Sequence, residues 1–318
     1  MRLDVLGETA LLRRLAPIGY PEGAPLPPGD DAGAIALGGG ALLLKTDGFR
    51  ASGVRLSGMP EEALGWRAVT AVASDLLAKL ARPLAFVLAT FLPPDAEDAT
   101  ALAWTRGAAR AARAYGAVLL GGDTNRGEPA LAAAGVGWAE DPLPRGGSEG
   151  DHLLLLGDRW GLSGAAIDAH YRGLDLGRFP AIRAAGYWPR ARLATLGLLP
   201  FRRWLSGSAD SSDGLAETLW QLSEAAGVGI ALDRLPLPPD LRAYADAAGV
   251  APEELVLYGG EEFEAAVLVR PEGRALVEAW RASVGVPGTW AGRAGGPVGV
   301  RYRGAPLPRR GYRQFGPR

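Results

Sequence analysis

Short apolar runs of strand length alternate along the whole chain with longer segments of helical periodicity, which predicts a fold of the α/β or α+β class. In the first half, the pattern predicts helices at 3–16, 60–80 and 95–115 and strands at 32–37, 41–46, 84–92, 117–120 and 130–138. In the second half, it predicts strands at 152–156, 228–232, 264–269, 288–291 and 298–303 and helices at 161–172, 213–226, 240–248 and 272–283.

One segment between the two halves lacks any apolar period. It runs from Asp141 to Gly150 and consists largely of proline, glycine and charged residues, which favour turns. The chain has 318 residues, a length that suits about two domains. We therefore predict one domain at 1–141 and a second at 142–318.

Composition excludes several kinds of chemistry. The chain has no cysteine, which rules out thiol catalysis, cysteine–zinc sites and iron–sulfur clusters, and its histidines are only His152 and His170. A net charge of −1 gives no bulk attraction to nucleic acid or to an anionic membrane. The most apolar run, 84–92, is far shorter than a membrane span, and the first residues lack a signal-peptide pattern, so we expect a cytoplasmic protein.

The informative residues are acids that stand beside glycine, serine or threonine, at what we predict to be the ends of strands and helices. Each alone is an ordinary turn, helix cap or solvated side chain. Together they offer the oxygen ligands that Mg²⁺ prefers, beside glycines that let a phosphate approach the backbone. They therefore predict a metal–nucleotide site. The motifs are Gly29-Asp30-Asp31, Thr46-Asp47, Ser74-Asp75, Gly121-Gly122-Asp123-Thr124, Asp210-Ser211-Ser212-Asp213-Gly214 and Gly259-Gly260-Glu261-Glu262.

The common nucleotide-binding motifs are missing from the sequence. There is no G-x-x-x-x-G-K-[ST] phosphate loop, no protein-kinase motif set and no G-x-G-x-x-G at a predicted strand end. A G-x-S-x-G nucleophile elbow is also absent from these positions. A nucleotide site in this chain must therefore be built from the acidic motifs.

In order and spacing, the acidic motifs resemble those of the thiamine-monophosphate kinase family, part of a superfamily with aminoimidazole ribonucleotide synthetase and selenophosphate synthetase. The resemblance covers about the whole chain, and the motifs are specific only as a set. It implies the two-domain aminoimidazole ribonucleotide synthetase-like fold, with nucleotide and metal binding and dimerisation in 1–141. It also implies a homodimer that uses Mg²⁺ and ATP to convert thiamine monophosphate to thiamine diphosphate.

The resemblance further implies roles for individual residues. Glu261 would face the thiamine moiety of the acceptor, and Asp75, Asp123 and Asp213 are the catalytic candidates. The residues that would contact ATP are Gly122, Asp123, Arg145 and Ser212. The residues that would hold Mg²⁺ are Asp31, Thr46, Asp47, Asp75, Asp123, Asp210 and Asp213.

Departures from the family pattern concentrate on the acceptor side. Arg55 stands near the position of a family histidine, and we hypothesise that it binds the acceptor phosphate. Arg309 stands in place of a family aromatic residue near the C-terminus, and Glu262-Phe263 replaces the family's Asp-Tyr. On the helix of Asp75, Leu77-Ala78-Lys79-Leu80-Ala81 replaces the family's A-A-M-G-A.

The inventory of side chains suits this reaction. A phosphate monoester has a second pKa of about 6, so its nucleophilic oxygen is mostly unprotonated at neutral pH and needs no general base. The difficulty is charge, because two unit charges 4 Å apart repel by about 4 kcal/mol at an effective dielectric of about 20. Divalent ions held by several aspartates would offset this repulsion. We therefore expect direct in-line transfer, assisted by Mg²⁺ and without a covalent intermediate.

Three other functions remain open from the sequence. The first is another ATP-dependent enzyme of the same superfamily with a different phosphorylated acceptor, although the missing cysteine disfavours selenophosphate synthetase. The second is a metal-dependent phosphohydrolase, which would release inorganic phosphate without an acceptor. The third is a non-catalytic protein that binds metal or nucleotide. Product analysis distinguishes them.

Overall fold

Two separate β-sheets organise the protein, whose computed structural model describes residues 3–312. The first half comprises α1 (Leu3–Leu6), α2 (Glu8–Leu15), β1 (Gly33–Leu37), β2 (Gly40–Arg50), α3 (Ala51–Val54), α4 (Glu61–Ala78), β3 (Arg82–Leu92), α5 (Asp98–Ala114), β4 (Val118–Arg126) and β5 (Ala130–Ala139). The second half begins with β6 (His152–Leu156), α6 (Leu162–Arg172), α7 (Pro180–Tyr187), β7 (Leu205–Asp210), α8 (Leu215–Ala226) and β8 (Ile230–Leu232). It continues with α9 (Pro239–Ala248), α10 (Pro252–Tyr258), β9 (Ala265–Val269), α11 (Arg274–Ser283), β10 (Gly288–Ala294), β11 (Val300–Tyr302) and β12 (Ala305–Pro306). Segments of 3₁₀ helix occupy Leu176–Arg178, Leu193–Trp204 and Pro271–Gly273.

The first sheet has the order β1-β2-β5-β3-β4. Its pairs are antiparallel except β3–β4, which are parallel and connected through α5. Helix α4 packs on one face of this sheet and against α5. The two helices touch backbone to backbone, because a Cβ added at Gly65 would lie 1.7 Å from the carbonyl oxygen of Trp104, and one at Gly107 would lie 1.8 Å from that of Glu62.

The packing of α4 explains why its charged residues matter. The helix is buried from Ala63 to Ala78, including the side chains of Arg67 and Asp75. A buried charge is costly unless it is paired or binds a metal ion. The fold therefore requires partners for both residues.

The opposite face of the first sheet is apolar and exposed. Its large side chains are open to solvent by 37–71% of their area. A contiguous exposed apolar face of this kind marks an interaction surface. The face is formed by Ile35, Leu44, Val87, Leu120 and Trp138.

The second sheet has the order β12-β11-β8-β10-β6-β9-β7, and it is covered on both faces at its interior strands β6 and β9. The near-continuous leucine run of the interior strand β6 accounts for its burial along its whole length. Leu153 and Leu155 join the core beneath α6 and α8, whereas Leu154 and Leu156 pack with residues of α11 and the 3₁₀ helix Leu193–Trp204. Strand β7 forms the edge that lies against α4.

The mixed α/β class predicted from the sequence is confirmed, together with most of the elements. The structure adds β7, α7 and α10, which the periodicity did not reveal. The division at residue 141 stays a prediction; it falls between the end of β5 and the start of β6. Among the described helices, none is long and apolar enough to cross a membrane.

Two motifs lie inside strands, which corrects the expectation that they end them. Thr46-Asp47 is in the middle of β2, because β2 pairs with β5 as far as Arg50. Gly121-Gly122-Asp123-Thr124 is part of β4, which pairs with β3 as far as Arg126. Gly122 has a packing role there, since an added Cβ would lie 1.7 Å from the carbonyl oxygen of Leu88.

Candidate metal centre

Three aspartates from distant parts of the chain converge at the junction of the two halves. Asp31 precedes β1, Asp75 lies in the last turn of α4, and Asp210 ends β7. All are buried, and one carboxylate oxygen from each lies within 4.8 Å of the others. No local sequence pattern brings them together, so their meeting is a property of the fold.

The docking of α4 on β7 creates this junction. The Ser74 hydroxyl donates a hydrogen bond of 2.6 Å to Oδ2 of Asp210, and the Ser208 hydroxyl donates to the carbonyl oxygen of Ala78. Residues of both halves are therefore tied together on either side of the carboxylates.

Three cations border the acids. Nζ of Lys45 lies 3.0 Å from Oδ2 of Asp75, and the Arg145 guanidinium pairs with Asp31. Nζ of Lys79 lies 2.8 Å from both Oδ2 of Asp31 and Oδ1 of Asp30. We call Asp30, Asp31, Asp75 and Asp210 the acidic cluster. Among the described side chains, its carboxylates outnumber these bordering cations by one.

Electrostatics within the cluster differ from one acid to the next. Burial raises the pKa of Asp75 well above its usual range, and the carboxylates of Asp210 and Asp31 add to this rise against the opposing effect of Lys45. Burial and the charge of Asp31 likewise raise the pKa of Asp210. For Asp31 burial acts in the same direction, but Arg145 and Lys79 outweigh it and lower the pKa. Asp75 and Asp210 therefore lack full compensation, which a bound cation would supply.

The donor set fits a hard divalent ion. Carboxylate oxygens from several segments are the ligands that Mg²⁺ accepts, and there is no histidine or cysteine among these three residues to favour a softer metal. Of the residues that the sequence predicts as metal ligands, the structure brings together Asp31, Asp75 and Asp210.

The other predicted ligands lie outside this group of three. Asp47 is close enough to influence the pKa values of Asp75, Lys45 and Arg67. The Thr46 hydroxyl donates to the carbonyl oxygen of Ala133 at 3.1 Å. The remaining two, Asp123 and Asp213, lie on the exposed strand β4 and in the loop after β7.

The predicted ATP contacts are similarly dispersed. Gly122 and Asp123 lie on β4, and Ser212 is exposed in the loop after β7. Arg145 is anchored to the Gly-Asp-Asp motif, since its amide donates to Oδ2 of Asp30 at 2.9 Å and its guanidinium donates to the carbonyl oxygen of Gly29 at 3.1 Å. The structure thus connects Arg145 to the acidic cluster.

Glu261, predicted to face the acceptor, forms an ion pair that joins the two halves. Both of its carboxylate oxygens accept hydrogen bonds from Arg67 of α4. The Arg67 guanidinium also lies 5.2 Å from the ring centre of Phe49 and 5.9 Å from that of Phe263. Glu261 has a left-handed backbone with φ of 61°, and its amide donates to the carbonyl oxygen of Ser212 at 2.7 Å.

Sequence reasoning missed Arg67. The available signal was its positive charge within an otherwise largely apolar helix, on the same helical face as Ser74. Lys45 was missed as well, because a lysine in a strand is normally solvated.

The other predicted acceptor residues have partners in this structure. Arg55 makes a two-pronged ion pair with Glu61, which also accepts a hydrogen bond of 2.8 Å from Nε1 of Trp104. Arg309 pairs with Glu217 and Glu224 of α8 at 2.7 Å.

Glu262 is a buried acid beside the loop that follows Asp210. The Ser211 hydroxyl approaches its Oε2 at 3.4 Å, and none of the described residues hydrogen-bonds to Oε1. Burial is the main cause that raises the pKa of Glu262 to about 8. The folded protein therefore holds this side chain protonated at neutral pH.

Glu262→Gln is expected to flatten the dependence of stability on pH. The wild-type pKa rises from 4.5 to about 8 on folding, so the stabilisation from the bound proton is complete below pH 4.5 and is lost as pH rises through 8. The neutral glutamine avoids this loss, and the variant should exceed the wild type by about 2–4 kcal/mol at pH 9. Urea unfolding at pH 5, 7 and 9 measures the difference, with exposed Glu272→Gln as control. Parallel profiles for wild type and Glu262→Gln would contradict the assignment.

A family model, a curated relative and two solved structures are all similar to this chain. Residues 29–139 match the family described as AIR synthase related protein, N-terminal domain. A thiamine-monophosphate kinase of Synechococcus elongatus is 33% identical over 270 residues, 79% of each chain. The crystal structure of tt0281 from Thermus thermophilus is 56% identical, with a TM-score of 0.92 over 97% of this chain and 100% of that one. AaThiL complexed with AMPPCP and TMP is 26% identical, with a TM-score of 0.88 over 99% of both chains.

Proposed function

The chain belongs to the thiamine-monophosphate kinase family, and we propose that it transfers the γ-phosphoryl group of ATP to thiamine monophosphate, giving thiamine diphosphate and ADP. The observation that carries the proposal is the convergence of Asp31, Asp75 and Asp210 at the junction of the two halves. The similarity to AaThiL, which binds AMPPCP and TMP, supports the same pair of substrates. That the protein described here is cytoplasmic stays a prediction from the sequence.

The transfer is direct and in line, without a covalent intermediate. The acceptor is a phosphate monoester that is mostly ionised at neutral pH, so no side chain has to remove its proton. The two histidines have other contacts: the His152 ring meets the edge of Trp290, and His170 accepts a hydrogen bond of 3.1 Å from the Ser57 amide. Catalysis then consists of positioning and charge neutralisation.

The acidic cluster supplies the metal ligands. Asp31, Asp75 and Asp210 would hold Mg²⁺, which when bound neutralises charge on the phosphate oxygens. Thr46, Asp47, Asp123 and Asp213 are proposed as further ligands, with Asp75, Asp123 and Asp213 in the catalytic roles. Gly122, Asp123, Arg145 and Ser212 would contact ATP.

The acceptor lies on the side of Glu261. The carboxylate of Glu261 would face the positively charged thiazolium ring of thiamine. In this structure the same carboxylate pairs with another cation, the guanidinium of Arg67. Arg55 would hold the acceptor phosphate, because a planar guanidinium binds phosphate oxygens in pairs. Arg309 is proposed to border the acceptor on the C-terminal side.

Arg55→Ala is expected to raise the KM for thiamine monophosphate about tenfold, with little change in kcat or in the KM for ATP. The reason is the loss of a guanidinium that Glu61 holds in place. Initial-rate kinetics with each substrate varied in turn measures the effect. Arg50→Ala, which removes an exposed arginine paired with Glu128, is the control. An unchanged acceptor KM would remove Arg55 from the acceptor site.

The exposed apolar face of the first sheet is proposed as the homodimer interface. Light scattering should give twice the mass of the 33.1 kDa chain. Leu120→Glu places a charge on this face, where Leu120 is 71% exposed, and is expected to shift the protein to monomers. Leu276→Glu, on an exposed position of α11, should remain dimeric. A monomeric wild type, or a dimeric Leu120→Glu protein, would contradict this interface.

Product analysis by mass spectrometry tests the proposed reaction. The protein is incubated with Mg-ATP and thiamine monophosphate, with thiamine and a no-acceptor sample as controls. Thiamine diphosphate should form only from thiamine monophosphate and in step with ADP. Inorganic phosphate released without acceptor would instead indicate a phosphohydrolase.

A further inference from the structure

Lys79 is a lysine with no exposed side-chain surface. It follows the last residue of α4, and its exposed fraction is 0%. Its ammonium group contacts Oδ1 of Asp30 and Oδ2 of Asp31 at 2.8 Å and donates to the carbonyl oxygen of Ser208 at 2.7 Å. The ammonium group is thus surrounded by two carboxylates, with which it forms ion pairs, and a backbone carbonyl, to which it donates a hydrogen bond.

The position of Lys79 differs from those of the other cations of the site. The side chain of Lys45 is 26% exposed and that of Arg145 is 20% exposed, so both can turn toward solvent or a ligand. Lys79 is enclosed and held by oxygens from the loop before β1 and from β7. Its burial leaves it no solvent-exposed surface, in contrast to Lys45 and Arg145.

A fixed positive charge in contact with Asp31 opposes any further cation on this carboxylate, which Arg145 also contacts. Two like charges a few ångströms apart repel strongly at the dielectric of a protein interior. Lys79 also leaves the cluster with an excess of only one carboxylate over its bordering cations. Without the lysine, that excess would double.

We propose that Lys79 is a resident cation that competes with divalent ions for the acidic cluster and so weakens metal binding in the absence of nucleotide. This inference rests on the metal site of the proposed function. Its consequence is that the metal ion enters together with the triphosphate, whose own negative charge restores the affinity that Lys79 lowers.

Mg²⁺ titration of the full-length, nucleotide-free protein tests the inference, with the shift in thermal unfolding as readout at constant ionic strength. Lys79→Met should be half-saturated at a Mg²⁺ concentration at least about tenfold lower than the wild type requires. Arg172→Met removes an equal charge from an exposed pair with Asp168 and should match the wild type. An unchanged half-saturation in Lys79→Met would overturn the inference.

A second pair of variants covers the case in which Lys79→Met does not fold. Asp30→Asn retains Lys79 and leaves as many carboxylates as cations. The double variant Asp30→Asn/Lys79→Met removes one charge of each sign, so the carboxylates again exceed the cations by one, as in the wild type. The double variant should bind Mg²⁺ at least about tenfold more tightly than Asp30→Asn. If Asp30→Asn and the double variant bind Mg²⁺ equally well, the proposed role of Lys79 is wrong, while the metal site of the proposed function stands. A wild type with no response to Mg²⁺, with or without ATP, would overturn the metal site and this inference with it.

Discussion

Asp75→Asn is expected to lower kcat by at least about a thousandfold, because a lost metal ligand removes several kcal/mol of charge stabilisation from the transition state. Asp75 is central to the site: its carboxylate meets those of Asp31 and Asp210, and it lies on a helix that is rigidly packed. The amide of asparagine keeps the shape of the side chain and removes its charge.

The same substitution is expected to leave the free energy of unfolding within about 1 kcal/mol of the wild type. Burial and the nearby acids raise the pKa of Asp75, so its charged form is already unfavourable in the folded protein without metal. Lys45 loses a partner, but its side chain is partly exposed and can be solvated.

Two measurements check Asp75→Asn. Steady-state kinetics with Mg-ATP and thiamine monophosphate gives kcat, and urea unfolding without metal gives stability. Asp95→Asn, on the surface before α5, is the matched control and should behave as wild type. A normal rate in Asp75→Asn would remove Asp75 from the metal ligands, and a protein that fails to fold would contradict the electrostatic account.

Arg67→Met is expected to destabilise the protein by about 3–4 kcal/mol, the usual effect of leaving a buried charge without its partner. The side chain of Arg67 is 10% exposed and that of Glu261 is 23% exposed, so water can replace the lost ion pair only in part. Glu261→Gln in the same protein removes the unpaired charge and should recover about 2 kcal/mol or more.

A double-mutant cycle measures this coupling. Urea unfolding of the wild type, Arg67→Met, Glu261→Gln and the double variant gives the interaction free energy, and acceptor kinetics of the folded variants gives a separate readout. Losing either partner should raise the KM for thiamine monophosphate more than the KM for ATP. Additive stabilities, or equal effects on both KM values, would contradict an ion pair that orients Glu261 toward the acceptor.

The sequence predicts which acids belong to the site, but it does not predict how they are arranged in space. Asp31, Asp75 and Asp210 can each be singled out, because acids beside glycine or serine near the ends of strands and helices are visible in a sequence. Their meeting depends on the packing of α4 against β7, and the periodicity did not reveal β7 at all. Its residues, Leu205–Asp210, include serine and glycine that weaken the strand pattern.

The cations of the site were harder to predict. Lys79 appears in the sequence as a departure from a family motif, and its burial follows only from the approach of Asp30, Asp31 and Ser208. Arg67 is similar, since its partner Glu261 lies far along the chain. Long-range pairing of charges depends on tertiary packing, about which local propensity carries no information.

Anomalous diffraction from crystals grown with Mn²⁺, AMPPCP and thiamine monophosphate tests most directly whether the three converging aspartates hold the catalytic cation. Mn²⁺ has the same preference for oxygen ligands as Mg²⁺ and gives an anomalous signal of its own. We predict an anomalous peak coordinated by Asp31, Asp75 and Asp210, adjacent to the phosphates of the nucleotide. Well-defined nucleotide density with Mn²⁺ only at other residues would contradict the account.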